Sequence, residues 1–374
     1  MKAERFLDAL ENLGAGFFTG VPDSLLSPFC DLVVRRYPEN HVVAANEGAA
    51  AGLAAGHYLA SGAPAVVYMQ NSGVGNAVNP VCSLLHEKVY GIPVIFVVGW
   101  RGEPGVKDEP QHVYQGQATL SMLDVLEIPY EIVSPDTDDA ALGRAAARFR
   151  PLLGQGRQVA FVIRKGALTG EKNVYRNENT LSREEVLEAV VKKGGARDAF
   201  ICTTGKLSRE MFELREKYAL GHGRDFLTVG SMGHSLMIAL GVALGQPDRR
   251  VWCLDGDGAA IMHLGSLAVA GVRHPRNLLH LIVNNGAHET VGGIPTAGAA
   301  LDFSQIALAC GYAHAHRAAS AAELLDVLDA AVRQEGPVLV EALCDLRARA
   351  DLGRPTSTPA QNRDALMEFL GSKQ

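Results

Sequence analysis

The chain has 374 residues, of which 47% are hydrophobic, and a formal net charge of −6. This length exceeds one ordinary core, so two domains are expected, and an acidic chain without a basic run argues against nucleic acid or an anionic membrane as a partner. No apolar stretch free of polar residues is long enough to span a bilayer. The six cysteines are scattered without C-x-x-C spacing, which favours free thiols in the cytoplasm.

The first half of the chain alternates the signals of strands and helices. Two helices are predicted, over residues 24–36 and 48–60. Short apolar runs between them have the length and composition of strands buried in parallel sheets. These predicted strands cover residues 41–45, 63–69, 93–98 and 158–163.

A polar segment over residues 166–180 separates the two halves. It has no apolar periodicity, and Ser182 and Glu185 follow it at the spacing of a capping box, which predicts the start of a helix. We therefore predict a first domain over residues 1–165, a linker over 166–181 and a second domain over 182–374.

The second half repeats this alternation of strand and helix without repeating the residues. Its predicted strands cover residues 199–202, 226–229, 250–254, 278–283 and 337–343. Both halves are therefore predicted to be open α/β domains with mainly parallel sheets, and ligands are expected at the C-terminal ends of the strands. A short helix is predicted over residues 364–370.

Two polar turns in the second half stand at the ends of predicted strands. Gly256-Asp257-Gly258 ends one strand, and Asn284-Asn285 ends the next, about one helical crossover later. Parallel strands joined in this way bring their C-terminal ends together, so Asp257 and one asparagine can meet at a hard cation while Gly258 admits a phosphate. Gly-Asp-Gly alone should occur by chance in roughly one chain of five. The two turns together are far more specific, and their oxygen donors suit Mg²⁺.

This spacing resembles the fingerprint of thiamine diphosphate enzymes. The resemblance implies a pyrimidine-binding domain followed by a diphosphate-binding domain, with thiamine diphosphate and Mg²⁺ as cofactors. It implies that Asp257, Asn285 and the carbonyl of Ala287 bind the metal, that Asn284 is structural, and that a helix beginning near Ala259 points its amides at the diphosphate. The residues that it places at the cofactor are Glu47, Gly230, Ser231, Met232, Gly256, Asp257, Gly258, Ala259 and Asn285.

Glu47 opens an Ala- and Gly-rich helix directly after the predicted strand 41–45. Capping alone explains an acid there, since Asn46 is a good N-cap and an acid in the first turn is worth under about 1 kcal/mol. The family resemblance gives Glu47 a second role, as the carboxylic acid at N1′ of the aminopyrimidine that favours its imino tautomer. It likewise makes Gly230 the carbonyl that receives the 4′-amino group and Met232 the side chain between the two rings, although a lone methionine is ordinarily core.

A narrower resemblance runs from about residue 17 to residue 296. It is carried by residues 20–24, 68–73, 75–76, 85–88, 99–105, 108–112 and 284–293. These strings are similar to those of phosphonopyruvate decarboxylases. The resemblance implies non-oxidative decarboxylation of 3-phosphonopyruvate to phosphonoacetaldehyde and CO₂, through a thiamine ylide and an enamine, in phosphonate biosynthesis.

An anionic 2-keto acid of this kind carries about three negative charges and needs hydrogen-bond donors. Candidate substrate-binding residues, all on loops at predicted strand ends, are Asn71, Ser72, Arg101, Lys107 and His112. Each alone is equally compatible with a solvated surface role. Candidates for proton transfer, which the sequence does not rank, are Asp23, His112, His288 and Glu289 beside Glu47.

Two alternatives stay open at this point. A sulfopyruvate decarboxylase would use the same cofactor on a sulfonate, and a non-catalytic thiamine-fold protein would keep only the architecture. The presence of Glu47, Asp257 and Asn285 in one chain speaks against the second alternative. The family resemblance further implies a homo-oligomer, at least a dimer, in which Glu47 and Asp257 meet across an interface between subunits.

Overall fold

A computed structural model describes residues 1–372. The chain forms two compact units, Met1–Val174 and Tyr175–Gln374, so their boundary lies inside the segment predicted as a linker. Residues 164–182 contain no helix and join their neighbours through isolated bridges, Lys2 with Thr169 in the first unit and Leu181 with Cys344 in the second. Within residues 1–372, every helix is too short or too polar to cross a membrane.

The first unit is built on a six-stranded, all-parallel sheet. Its strands are β1 (Phe18–Gly20), β2 (His41–Val43), β3 (Ala65–Gln70), β4 (Val94–Gly99), β5 (Tyr130–Val133) and β6 (Val159–Ile163). They lie in the order β2-β1-β3-β4-β6-β5. Its helices are α1 (Ala3–Glu11), α2 (Ser27–Arg36), α3 (Glu47–Ser61), α4 (Val74–Pro80), α5 (Pro110–Val125) and α6 (Asp139–Gly154).

All four strands predicted in this half are confirmed, and two further strands were not predicted. β1 has only three residues, Phe-Thr-Gly, and β5 is a half-buried edge strand, so neither presents a continuous apolar run. The predicted helix 24–36 begins as the 3₁₀ turn Ser24–Leu26 and continues as α2, while the predicted helix 48–60 corresponds to α3.

The second unit carries another six-stranded parallel sheet. Its strands are β7 (Ala199–Cys202), β8 (Asp225–Leu227), β9 (Val251–Gly256), β10 (Leu278–Asn284), β13 (His314–Ala318) and β14 (Val338–Leu343), in the order β13-β14-β10-β9-β7-β8. A separate antiparallel hairpin pairs β11 (Ala287–His288) with β12 (Ile294–Pro295). Its helices are α7 (Arg183–Lys193), α8 (Lys206–Lys217), α9 (Ser235–Gly245), α10 (Asp257–Met262), α11 (Gly265–Arg273), α12 (Phe303–Ala309), α13 (Ala321–Ala331) and α14 (Pro359–Leu370).

Helices cover both faces of this second sheet, and alternate residues of each strand enter opposite cores. Trp252 and Leu254 of β9 pack in the core beneath α7, α8 and α13, while Val251 and Cys253 pack beneath α9, α11 and α12. Because both faces are buried, β9 is apolar from Val251 to Leu254, and the sequence pattern identifies it.

The predictions for the second half are largely confirmed. Ser182 and Glu185 form the predicted capping box, in which the Ser182 Oγ accepts from the Glu185 amide at 3.2 Å. α10 begins at Asp257 rather than near Ala259, so Asp257 itself occupies the first helical turn. The predicted helix 364–370 extends over all of α14, and the edge strand β13, His-Ala-His-Arg-Ala, was missed because it is polar and half-buried.

Candidate active site

Glu47 lies in the first turn of α3, just beyond the end of β2, and is only 5% exposed. The Asn46 side chain caps this helix by accepting from the Ala49 amide at 2.9 Å. The Glu47 carboxylate accepts from Asn76 Nδ2 at 2.7 Å. A Cβ at Gly73 would lie 2.4 Å from Glu47 Oε1, so the carboxylate rests directly against the glycine backbone. Capping therefore accounts for Asn46, whereas the Glu47 carboxylate is buried and takes no part in the cap.

Three neighbouring strands of the first sheet, β1, β3 and β4, end at one edge and bring polar residues together there. Asp23, which follows β1, is fully buried and accepts from Gln70 Nε2 at 2.7 Å and from the Leu25 amide at 3.0 Å. Burial raises the pKa of Asp23 above its ordinary value, against these hydrogen bonds. The Asp23 carboxyl is thus able to carry a proton at a higher pH than an exposed aspartate.

Arg101 follows β4 and makes a two-pronged contact with Asp108. Its Nε lies 2.8 Å from Asp108 Oδ2 and its Nη2 lies 2.5 Å from Oδ1, while its Nη1 donates to Ser24 Oγ at 3.1 Å. Burial disfavours the Asp108 carboxylate, but the hydrogen bonds from Arg101 and two backbone amides hold its pKa well below the usual range. Burial, aided by the charge of Arg101, lowers the pKa of His112 to about 4, so this imidazole is neutral at pH 7.

The other predicted substrate-binding residues differ in their burial and in their hydrogen-bond partners. Asn71 is fully buried, and its Nδ2 donates at 2.8 Å to both the Arg101 carbonyl and Thr119 Oγ1. Ser72 is exposed and donates to Gln70 Oε1 at 2.8 Å, and Lys107 is exposed on the loop between β4 and α5. The structure therefore gives Asn71 a role in supporting the Arg101 loop.

In the second unit, Asp257 and Asn285 lie side by side, as the strand order requires. Asp257 is 2% exposed. Its carboxyl accepts a hydrogen bond from the Thr296 hydroxyl and faces the backbone amides of Asn285 and Gly258. Burial raises the pKa of Asp257 to about 6 despite these donors. Asn285 is also buried, and its Oδ1 accepts from the Ala287 amide at 3.1 Å.

These residues fit a divalent cation of the magnesium type. A buried carboxylate normally needs a positive partner, yet within residues 1–372 no lysine or arginine lies within salt-bridge distance of Asp257. The carboxylate of Asp257, the amide oxygen of Asn285 and the carbonyl of Ala287 are all hard oxygen donors, which Mg²⁺ prefers. Asn284, by contrast, donates inward to the Gly298 carbonyl at 2.9 Å and to Glu341 Oε1 at 2.7 Å.

Met232 and His288 both lie over Gly258. A Cβ at Gly258 would be 3.0 Å from His288 Cε1 and 3.4 Å from Met232 Cε, so it would crowd the His288 ring and touch Met232. Gly230 and Ser231 stand before Met232 in the loop after β8, and Ser231 has a positive φ of 54°. Burial lowers the pKa of His288 to about 4, so its ring is neutral at pH 7. Gly256 and Ala259 flank this point on β9 and α10.

Glu289 is held by two basic side chains. Arg183 Nη1 lies 2.7 Å from Glu289 Oε2, and Lys206 contacts the other carboxylate oxygen. Arg183 also forms a buried fork with Glu210, with both hydrogen bonds at 2.6 Å. This network anchors the turn after His288, and proton transfer by Glu289 stays a prediction without structural support.

Sequence reasoning missed several residues that complete the two clusters. They are Gln70, Gly73, Asn76, Asp108 and Thr296. Four of them lie within or beside strings that carried the resemblance, but nothing in the sequence indicated which side chains they would contact. Thr296 is brought to Asp257 by the hairpin β11–β12, which the paired glycines Gly292 and Gly293 could have signalled.

Two family models match the chain, one in each unit. The thiamine pyrophosphate enzyme N-terminal TPP-binding domain matches residues 2–127, and the C-terminal TPP-binding domain matches residues 203–342. The chain therefore belongs to the thiamine pyrophosphate enzyme family, and thiamine diphosphate is its cofactor.

Full-length relatives narrow this assignment. The chain is 36% identical over 369 residues to a phosphonopyruvate decarboxylase of Streptomyces viridochromogenes, covering 94% of this chain and 90% of that protein. It is 35% identical over 386 residues to a phosphonopyruvate decarboxylase of Streptomyces hygroscopicus, covering 99% and 94%. A sulfopyruvate decarboxylase of Methanosarcina acetivorans is 25% identical over 336 residues, covering 82% of each chain. Within the thiamine pyrophosphate enzymes, the chain belongs to the phosphonopyruvate decarboxylase family.

Proposed function

We propose that this enzyme decarboxylates 3-phosphonopyruvate to phosphonoacetaldehyde and CO₂, with thiamine diphosphate and Mg²⁺. The observation that carries the proposal is the similarity to two phosphonopyruvate decarboxylases over nearly the whole chain, higher than that to the full-length sulfopyruvate decarboxylase. When bound, thiamine diphosphate supplies the carbon nucleophile and the electron sink that a 2-keto acid decarboxylation needs. The side chains of this protein bind, orient and exchange protons.

Glu47 is the residue proposed to act on the aminopyrimidine ring. Its buried carboxylate, fixed by Asn76 and pressed against Gly73, is oriented without a basic partner among the contacts described above. We expect Glu47→Gln, which keeps an acceptor for Asn76, to lower kcat by about 10²- to 10⁴-fold, the usual contribution of a proton-transferring side chain. Thiamine diphosphate binding, measured by calorimetry, should persist. Unchanged turnover in this variant would show that Glu47 has been assigned wrongly.

Asp257, Asn285 and Ala287 are proposed to bind Mg²⁺ and, through it, the diphosphate, with Gly256, Gly258 and Ala259 as the adjoining backbone. Met232 and Gly230 are proposed to contact the rings of the cofactor. This assignment rests on the buried Asp257 carboxyl without a basic partner and on its contact with Asn285. His288, neutral at pH 7, is better suited to accept a proton or a hydrogen bond than to donate a proton as a cation.

The phosphonate is proposed to bind at the edge of the first sheet, near Arg101. The side chain of Arg101 is 19% exposed, and Ser24 and Ser72 lie in 3₁₀ turns at this edge of the sheet. His112, which was predicted to lie on a loop, lies in the first turn of α5. Because Asp108 engages Nε and Nη2 of Arg101, a lysine could not keep this pairing and a contact with the phosphonate at the same time. We expect Arg101→Lys to raise KM by about 10-fold or more, an effect of about 1.4 kcal/mol. Lys107→Gln, on the exposed part of the same loop, is the matched comparison and should change KM less.

A substrate comparison separates the proposed activity from its closest alternative. The purified enzyme, loaded with thiamine diphosphate and Mg²⁺, is given 3-phosphonopyruvate, sulfopyruvate or pyruvate, and aldehyde formation is followed. The highest kcat/KM is expected with 3-phosphonopyruvate. A higher kcat/KM with sulfopyruvate would show that the enzyme acts on the sulfonate and would contradict the proposed substrate.

We also propose a homo-oligomer whose active sites lie between subunits, located in the cytoplasm. All six cysteines are free thiols, as a reducing compartment favours. Glu47 and Asp257 belong to different compact units, so a shared site can be tested by mixing two inactive variants. Glu47→Gln and Asp257→Asn chains, dissociated and reassembled together, should regain part of the wild-type activity. An active monomer in analytical ultracentrifugation would contradict the shared site.

A further inference from the structure

The hydroxyl of Thr296 contacts the carboxylate of Asp257 at the cluster proposed to bind the metal. Thr296 Oγ1 hydrogen-bonds to Asp257 Oδ2, and both side chains are buried. The same Oγ1 accepts from the Gly298 amide at 3.0 Å. Because an ionised carboxylate can only accept, the Thr296 proton points at Asp257, and the Gly298 amide fixes the hydroxyl in that direction.

The backbone around Thr296 is fixed from two sides. The Thr296 amide donates to the Gly286 carbonyl at 2.8 Å, which closes the hairpin β11–β12 onto the turn after β10. The Gly298 carbonyl accepts from Asn284 Nδ2 at 2.9 Å. A Cβ at Gly298 would lie 2.6 Å from Asp257 Oδ2, so this turn packs directly on the carboxylate. Thr296 is therefore held in place independently of its contact with Asp257.

A carboxylate turns readily about its Cβ–Cγ bond unless one oxygen is engaged. Thr296 engages Oδ2, and the backbone amides of Asn285 and Gly258 also face the carboxyl, so the Thr296 hydroxyl is the one side-chain donor that holds the Asp257 carboxylate among the contacts described above. Partners that orient a metal ligand in this way typically change metal affinity 10- to 100-fold. Both side-chain hydrogen bonds of Thr296 are made by its hydroxyl, so they do not require the methyl group.

We infer that Thr296 is a positioning residue for the metal: its hydroxyl orients the Asp257 carboxylate for Mg²⁺. This inference rests on the proposed role of Asp257 as a Mg²⁺ ligand. The distinguishing pair of variants is Thr296→Val, which keeps the shape but removes the hydroxyl, and Thr296→Ser, which keeps the hydroxyl but removes the methyl group. Ser320→Ala provides a matched control. The Ser320 hydroxyl accepts from the Glu323 amide and caps α13, as the Thr296 hydroxyl accepts from the Gly298 amide, but Ser320 has no contact with Asp257 among those described above.

The measurement is the apparent Mg²⁺ dissociation constant in saturating thiamine diphosphate, by isothermal titration calorimetry on the full-length apoprotein. Thr296→Val should weaken Mg²⁺ binding by about 10- to 100-fold. Thr296→Ser and Ser320→Ala should stay within about 3-fold of wild type, a change of under about 1 kcal/mol. Saturating Mg²⁺ should restore most of kcat in Thr296→Val, because the residue acts through metal affinity and not through the reacting atoms.

Two results would overturn the inference. One is wild-type Mg²⁺ affinity in Thr296→Val, and the other is equally weak binding in Thr296→Ser. A wild-type protein that binds no Mg²⁺ with thiamine diphosphate would remove the proposed metal site and this inference together. If the wild-type protein binds both thiamine diphosphate and Mg²⁺, and only Thr296→Val binds Mg²⁺ weakly, the inference is supported even if 3-phosphonopyruvate proves not to be the substrate.

Discussion

Asp257→Asn should stabilise the apoprotein while abolishing the proposed Mg²⁺ site. Burial raises the pKa of Asp257 from its ordinary 3.8 to about 6, so a carboxylate that is deprotonated at neutral pH is held in an unfavourable environment. The shift of about two units, at 1.36 kcal/mol per unit, corresponds to about 3 kcal/mol. Asparagine keeps the size and the acceptor oxygen without the charge.

The sign of this effect follows from proton linkage. The folded-state pKa lies above the unfolded value, so the protonated carboxyl stabilises the fold below about pH 4, and that contribution is lost as pH rises through about 6. The Asp257→Asn protein should therefore be more stable than wild type by about 3 kcal/mol at pH 8. The difference should shrink to under about 1 kcal/mol at pH 4.

The assay is urea unfolding at a series of pH values, with a chelator and without cofactor. The chain has two tryptophans, and Trp252 lies in the core of the second unit, so a Trp100→Phe background makes fluorescence report on that unit alone. Asp248→Asn, at an exposed position, is the control and should change stability by under about 0.5 kcal/mol. A less stable Asp257→Asn protein at pH 8, or a difference independent of pH, would contradict this prediction.

Two further substitutions test the packing around the site and the core of the second unit. Gly73→Ala should displace Glu47, since the new Cβ would lie 2.4 Å from its carboxylate, and should lower kcat by about 10-fold or more. The control is Gly143→Ala, which lies in open space on α6 and should leave turnover unchanged. Equal turnover in both variants would contradict the role of Gly73. Arg215→Met should cost about 3–5 kcal/mol in urea unfolding, because it leaves the fully buried Asp225 without its partner, and adding Asp225→Leu should recover much of that loss. A loss below about 1 kcal/mol would show that water reaches Asp225.

The two-domain α/β architecture was predictable because strands buried on both faces are nearly continuous apolar runs. β4, β9 and β10 are of this kind. The strands β5 and β13 lie at sheet edges with half-buried, polar residues, so their pattern does not differ from that of a loop. The positions of Asp257 and Asn285 followed from the rule that parallel strands end at one edge, and the structure brings them together.

The rest of the site depends on loop conformations that no periodicity indicates. Arg101 was predicted as a candidate donor to the substrate, and the sequence did not indicate that Asp108, seven residues later, engages its Nε and Nη2. Contact of Asn71 with the substrate stays a prediction, and the sequence did not indicate that its amide donates to Thr119 and to the Arg101 carbonyl. The contact between Thr296 and Asp257 spans 39 residues and depends on a hairpin whose two strands have two residues each.

This chain, with its cofactor, is expected to remove CO₂ from 3-phosphonopyruvate. ³¹P NMR of 3-phosphonopyruvate incubated with the apoprotein, before and after addition of thiamine diphosphate and Mg²⁺, tests it most directly. No reaction is expected before the addition. Afterwards, one phosphonoacetaldehyde signal should grow in step with released CO₂. An unchanged substrate signal in the presence of both cofactors, or the same product without thiamine diphosphate, would contradict it.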